Sequence, residues 1–181
     1  QEFERQEVKI SREIGDLKTA SNGLNSLGFQ SYMQGKGKEA IEYYEEALQI
    51  ARDIGNKSGV IMIQSNIYGA RVLLEEYSSS EDSLTALIDE VGDKGHFLVS
   101  EMYRFLAEAL VAQGKYDDAL AKAQRSLTLS EETENPEAIS EAWRVLGIVA
   151  SCLKEDILFN DQTFNASDCF QRSLDDFEKL G

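Results

Sequence analysis

Few residues of this chain have the type and spacing that catalysis requires. His96 is the only histidine, so any histidine-based triad or histidine-rich metal site would have to include it. The segment Gly35-Lys36-Gly37-Lys38 could suggest a phosphate-binding loop. Such a loop needs a glycine five residues before its Gly-Lys pair and Ser or Thr directly after the lysine. Both ways of aligning the segment fail this requirement, so it reads as a turn. We therefore expect no enzyme activity, no cofactor and no metal ion.

The two cysteines are too few for a disulfide framework. We expect Cys152 and Cys169 to be small buried side chains with free thiols, which favours a cytoplasmic protein; a redox pair is the alternative.

The sequence begins at Gln1, without an initiator methionine and within a charged helical pattern. This start favours a fragment of a larger protein and argues against a signal peptide.

The charge balance restricts the classes of partner. The chain has 33 acidic residues and 18 basic residues, which gives a formal net charge of −15. This charge repels phosphate backbones and anionic membrane surfaces, so we expect neither a nucleic-acid nor a membrane partner. In addition, the sequence lacks an uninterrupted apolar run of about 18 residues, the minimum for a transmembrane helix.

The elements that position the remaining candidate residues are revealed by an internal repeat. A pair of adjacent residues, the first of which is bulky and apolar, recurs at intervals of 40, 39 and 40 residues. The four pairs are Leu27-Gly28, Ile67-Tyr68, Leu106-Ala107 and Leu146-Gly147. Each pair precedes a second pattern of small and bulky residues at helical spacing, such as Ala40, Tyr44 and Ala47. Only one proline but 13 glycines accompany these patterns. The sequence therefore predicts pairs of helices separated by glycine turns.

These motifs resemble the tetratricopeptide repeat. The best copies are Trp143 with Leu146-Gly147, and Gly114-Lys115-Tyr116 with Ala119. The period of about 40 exceeds the usual 34 residues and is similar to that of kinesin light chains, Leu-Gly-Asn-repeat scaffolds and many bacterial signalling regulators. The resemblance implies an all-α fold, a right-handed superhelical solenoid of antiparallel helix pairs with about nine helices.

The repeat pattern predicts one array over residues 1–181. Its parts are the second helix of a truncated repeat and then four repeats: 1–19, 20–59, 60–97, 98–137 and 138–181. The second repeat has Glu75 where others have a turn glycine and lacks the small residues of the second helix, so its helices should pack farther apart. The fourth contains an insertion at about 154–165 that includes Ile157, Leu158, Phe159 and Phe164. We expect these apolar residues either to pack on the array or to form a binding patch.

The resemblance also implies a binding surface. In the family, the first helices of the pairs line a concave groove that usually binds a peptide or a partner helix. Projection of these helices predicts the following residues on that face: Asn25, Phe29, Tyr32, Asn66, Arg104, Glu108, Arg144 and Ile148. Arg104 and Arg144 are equivalent and 40 residues apart, so together they could bind an acidic partner. Alternatively, they pair with carboxylates of Glu101, Glu108 and Glu141.

We therefore predict a protein–protein interaction module that serves as the regulatory or scaffolding segment of a larger signalling protein. Asn25 and Asn66 could hold a peptide backbone or could be ordinary polar surface. The alternative function is a sensor of a small ligand or signal peptide that controls an attached effector domain. The ends of the fragment could expose apolar faces, which would allow end-to-end self-association.

Overall fold

The structure is a computed structural model that describes residues 2–93 and 98–180. Within these residues the chain forms nine α-helices and one two-stranded antiparallel sheet. The elements are α1 (Glu2–Glu13), α2 (Leu17–Met33), α3 (Gly37–Asp53), α4 (Lys57–Leu73), α5 (Tyr77–Val91), α6 (Val99–Ala112), α7 (Tyr116–Glu132), α8 (Pro136–Leu153), β1 (Ile157–Phe159), β2 (Gln162–Phe164) and α9 (Ala166–Leu180). The predicted all-α solenoid of helix pairs is confirmed, with a hairpin as an addition.

The helices belong to two compact units. The first unit contains α1 to α4 and ends at Glu76, and the second contains α5 to α9 and begins at Tyr77. Within each unit, helices that follow one another in the chain pack together. Short connections make such neighbours antiparallel. The boundary between the units falls inside the predicted second repeat, and the prediction of one array over 1–181 stays a prediction.

Side-chain caps fix where three of the helices begin. Asp16, Asn56 and Asn135 each accept a hydrogen bond from the backbone N–H three residues later, at 3.1–3.2 Å. Such caps satisfy one of the backbone donors that have no partner at a helix start. Pro136 follows directly as the first residue of α8, where a missing N–H costs nothing. These helices therefore begin at 17, 57 and 136, slightly before the predicted repeat starts at 20, 60 and 138.

Two glycines allow the first and fourth helix pairs to pack closely. A Cβ atom on Gly28 would lie 2.5 Å from Tyr44, and one on Gly147 would lie 2.7 Å from Phe170. In each pair, the ring of the second helix therefore rests on the backbone of the first. Tyr44 is buried, whereas Phe170 is 41% exposed. Its ring covers Gly147 on one side and is open to solvent on the other.

The insertion in the last repeat forms the hairpin β1–β2. Its turn residues Asn160 and Asp161 have φ of 48° and 60°, the left-handed pair that a tight hairpin turn requires. Phe159 and Phe164 are buried against Trp143, with ring centroids 5.9 and 5.0 Å away. The insertion thus packs on its own repeat. Of its four apolar residues, one remains exposed and available for a binding patch. That side chain is Leu158, which is 63% exposed.

Candidate partner-binding faces

The structure places the eight predicted site residues in two groups, one in each unit. The α2/α4 face carries Asn25, Phe29, Tyr32 and Asn66. The α6/α8 face carries Arg104, Glu108, Arg144 and Ile148. Each face lies on the first helices of two successive pairs, because the repeat returns the same helical register after about 40 residues.

An amide pair and an aromatic pair make up the α2/α4 face. Asn66 Nδ2 donates to Asn25 Oδ1 across the two helices at 2.9 Å. One turn along α2, the Phe29 ring stacks on Tyr32 with centroids 6.5 Å apart and planes inclined by 27°. Phe29 is 51% exposed, whereas both asparagines are half-buried. The face thus combines an accessible aromatic surface with amide groups that can hydrogen-bond to a peptide.

Arg104 lies nearly buried in the α6/α8 face, with 8% of its surface exposed. Its Nη1 is 3.2 Å from Glu108 Oε1 on the same helix, and its Nη2 is 3.9 Å from Glu101. The guanidinium also lies 4.0 Å from the centroid of the Phe105 ring. The contact with the ring and the ion pairs together offset the free-energy cost of removing the guanidinium charge from water.

Arg144 joins the same cluster from α8. Its Nη2 contacts Glu108 Oε1, and its Nε donates to Glu141 Oε2 at 2.9 Å. Burial lowers the pKa of Arg144, but the carboxylates of Glu108 and Glu141 outweigh that effect and raise the pKa above its usual value. Glu108 therefore bridges the two arginines, and Ile148 lies half-buried one turn farther along α8.

The arginines are thus in the locally paired arrangement that we considered as the alternative to contact with a ligand. Two guanidinium groups face three carboxylates, Glu101, Glu108 and Glu141, so the cluster has a formal charge of −1. A second acidic group would have to compete with carboxylates already in place. The geometry therefore gives this face no preference for an acidic partner.

A further polar cluster in the second unit was not predicted. Tyr103 Oη donates to Asp93 Oδ1 at 2.8 Å, and Arg125 donates two hydrogen bonds to Asp93 Oδ2 at 3.0 and 2.7 Å. Burial, followed by the hydrogen bond to Asp93, raises the pKa of Tyr103 to about 12. These bonds tie the segment directly after α5 to α6 and α7. The three residues share no spacing in the sequence, which is why sequence reasoning missed the cluster.

Within residues 2–93 and 98–180, no group of three or more His, Cys, Asp or Glu side chains is arranged to hold a metal ion. His96 itself lies outside the described residues.

In the part of the chain that the structure describes, no helix is both long and apolar enough to cross a membrane. Cys152 and Cys169 are free thiols; Cys169 is buried, and Cys152 is half-buried.

Family models identify the type of repeat in two segments of the chain. Two models, each described as tetratricopeptide repeat, match residues 23–54 and 103–137. These two segments of the chain are thus tetratricopeptide repeats. The first match includes three residues of the α2/α4 face, and the second includes Arg104 and Glu108. Tetratricopeptide repeats generally serve as scaffolds for protein–protein interaction and are typically not enzymes.

Solved structures support the same tetratricopeptide-repeat fold. BtubC (BKLC) from P. vanneervenii has a TM-score of 0.62 and 18% sequence identity over 91% of this chain. The chain spans 65% of the length of that protein. MamA has a TM-score of 0.54 and 16% identity, with 96% of this chain and 95% of that chain covered. At these identities the similarity establishes the fold alone, and no curated protein sequence matches the chain.

Proposed function

We propose that this tetratricopeptide-repeat chain binds a peptide or a partner helix on its α2/α4 face. In this proposal it is the regulatory or scaffolding segment of a larger signalling protein. The observation that carries the proposal is the Asn25–Asn66 amide pair beside the exposed ring of Phe29. A scaffold family and an exposed aromatic on the first helices favour peptide recognition over any chemical reaction.

The amide pair is suited to a peptide backbone. The hydrogen bond between the two asparagines uses one donor and one acceptor. A side-chain amide has two donor hydrogens and an oxygen with two lone pairs, so each asparagine keeps hydrogen-bonding capacity. A bound backbone unit offers the matching C=O and N–H. Because both side chains are half-buried and hold each other, little side-chain entropy is lost when they bind.

Phe29 would supply most of the binding energy. Aromatic anchors that become desolvated dominate many protein interfaces, and surrounding polar contacts mainly set the register. Phe29 already stacks on Tyr32, so its ring is held in place before a partner arrives. We expect an apolar side chain of the partner to cover the exposed half of this ring.

The α6/α8 face would have a different part in recognition. Its arginines are paired, and its formal charge of −1 disfavours an acidic segment at this position. We propose that the cluster mainly holds α6 and α8 in register and that Ile148 contributes an apolar contact. We also propose a non-enzymatic, cytoplasmic protein; the free thiols of Cys152 and Cys169 support that location.

A displayed random-peptide library, selected on the 181-residue chain, tests this function. We expect selected peptides to share an apolar residue and to lose at least about tenfold in affinity for Phe29→Ala or for Asn25→Ala/Asn66→Ala. Leu17→Ala is the matched control, because Leu17 is an exposed apolar residue at the opposite end of the same helix. Circular dichroism would establish that all variants are folded.

Two outcomes would refute the proposal. One is a selection that yields no peptide enriched on the folded chain. The other is a set of peptides whose affinity is the same for the wild type, Phe29→Ala and the double asparagine variant. Equal losses for Phe29→Ala and Leu17→Ala would also count against it, since they would indicate general apolar adhesion.

A further inference from the structure

The first unit has a second concave surface, on a different side of α4 from Asn66. This α3/α4 groove lies between α3 and α4, and its floor is formed by Leu48, Ile67 and Tyr68. Its charged lining consists of Glu45, Arg52 and Arg71. Leu48 and Ile67 are buried, whereas Tyr68 is half-buried. The groove therefore has an apolar floor with charged side chains around it.

At position 68, the helix α4 has a tyrosine where two other helix pairs have glycine. In the first and fourth pairs the equivalent residue is glycine, and a ring from the next helix rests directly on Gly28 or Gly147. In α4 this residue is Tyr68, which lines the groove, and Arg71 follows three residues later with its guanidinium 5.8 Å from the ring centroid. This face of α4 thus presents an aromatic ring and a cation to the groove.

The charges of the groove contrast with those of the chain. Arg52 is exposed and, among the residues that the structure describes, forms no ion pair. Arg71 Nε is 3.9 Å from Glu76 Oε2, which is too long for a hydrogen bond. Glu45 is the carboxylate in the lining, so the lining residues carry a formal charge of +1 in a chain of −15. By comparison, the arginines of the α6/α8 face are saturated by carboxylates.

We propose that the α3/α4 groove binds an acidic peptide segment that also carries an apolar side chain. Arginine pairs with carboxylates through two parallel hydrogen bonds, and stacking on an aromatic ring leaves the edge of its guanidinium available. The Arg71 guanidinium lies 5.8 Å from the centroid of the Tyr68 ring, and Arg52 offers a second guanidinium in the same groove. The apolar side chain covers Leu48, Ile67 and the Tyr68 ring. This binding goes beyond the proposed function, because it uses another face and other residues.

The test measures fluorescence anisotropy with the full 181-residue chain and a fluorescein-labelled peptide, Ser-Glu-Glu-Phe-Glu-Glu-Ser. A second peptide has glutamine in place of every glutamate. We expect the glutamate peptide to bind about tenfold more tightly than the glutamine peptide. Arg52→Glu/Arg71→Glu should weaken the glutamate peptide by about tenfold or more.

The matched control is Lys38→Glu/Lys57→Glu. It makes the same change in net charge on the same two helices, at exposed residues outside the groove lining. We expect this control, and also Asn25→Ala/Asn66→Ala, to bind the glutamate peptide within about twofold of the wild type. The methyl resonances of Leu48 and Ile67 should shift during the titration, whereas those of Leu146 in the other unit should not.

Several results would overturn the proposal. The first is no binding of the glutamate peptide, and the second is equal affinity for the two peptides. The third is an equal loss of affinity in Lys38→Glu/Lys57→Glu, which would indicate that long-range charge alone attracts the peptide. A dimer seen by light scattering for the wild type and lost in Arg52→Glu/Arg71→Glu would show that a second copy of the chain is the occupant instead. Loss of binding in the asparagine variant would assign the peptide to the α2/α4 face.

Discussion

At the scale of single residues, Glu108 is the side chain on which the α6/α8 face depends. One of its oxygens accepts from Arg104 on its own helix and from Arg144 on α8. Its side chain is 20% exposed, and that of Arg104 is 9% exposed. Charges removed from water to this extent are costly unless they are paired. Sequence projection assigns these residues to one face, but helical spacing alone could not decide whether the arginines pair with Glu108 or with a ligand.

Replacement of Glu108 by glutamine should therefore destabilise the second unit by about 2 kcal/mol. The amide keeps the shape of the side chain and one acceptor oxygen, but it leaves two guanidinium groups without their shared negative charge. Urea unfolding followed by circular dichroism measures the change in the free energy of unfolding. The control Glu132→Gln alters an exposed glutamate at the end of α7 and should change that free energy by less than about 0.5 kcal/mol. Equal effects of the two variants would refute a bridging role for Glu108.

At the scale of elements, most helix boundaries could be predicted because single residues determine them. A glycine in a left-handed turn, an Asp or Asn cap and a proline at a first helical position all act locally. The hairpin was not predicted, because strands of three residues are too short to show a period of two. The cluster of Asp93, Tyr103 and Arg125 was missed for another reason. Its contacts join separate elements, and only the packed structure brings them together.

The turn between α4 and α5 shows how an unusual residue can still occupy a repeat position. Glu75 has a φ of 65°, close to the 73° of Gly35 and Gly114 at the corresponding turns. A side chain in the left-handed region costs about 1 kcal/mol relative to glycine. The turn is therefore formed despite its sequence, and it carries strain that the glycine turns do not.

Glu75→Gly should accordingly stabilise the chain by about 1 kcal/mol. Thermal unfolding followed by circular dichroism would show the gain as a rise in the midpoint. The neighbouring substitution Glu76→Gly is the control, because Glu76 has no positive φ and contacts Arg71. We expect it to give no stabilisation. A lower midpoint for Glu75→Gly than for the wild type would show that the side chain of Glu75 contributes more than its backbone strain costs.

At the scale of the whole molecule, the helices α1 and α9 each expose an apolar stripe. On α1 the stripe consists of Phe3 and Ile10, and Ile14 extends it directly after the helix. On α9 it consists of Phe170, Leu174 and Phe177. In a repeat array each helix normally has a neighbour on both sides, so an uncovered stripe favours association with another molecule. Net charge opposes that association, because two chains of −15 repel each other unless salt screens them.

We therefore expect self-association that increases with protein concentration and with salt. Multi-angle light scattering should give a mass above 20.2 kDa at high concentration for the wild type. Ile14→Glu and Leu174→Glu should each lower that mass. Leu158→Glu, which alters an exposed apolar residue of the hairpin, should leave it unchanged. A constant mass of 20.2 kDa for the wild type would contradict the prediction.

Mixing the two single variants determines how the copies join. An end-to-end contact pairs α1 of one copy with α9 of another and is therefore heterologous. Ile14→Glu retains an intact α9 stripe, and Leu174→Glu retains an intact α1 stripe. For an end-to-end contact, each variant alone stays monomeric, whereas their mixture forms a dimer that cannot grow further. If α9 instead paired with α9, Ile14→Glu alone would dimerise and the mixture would add nothing, which would refute end-to-end association while preserving the apolar stripe as its cause.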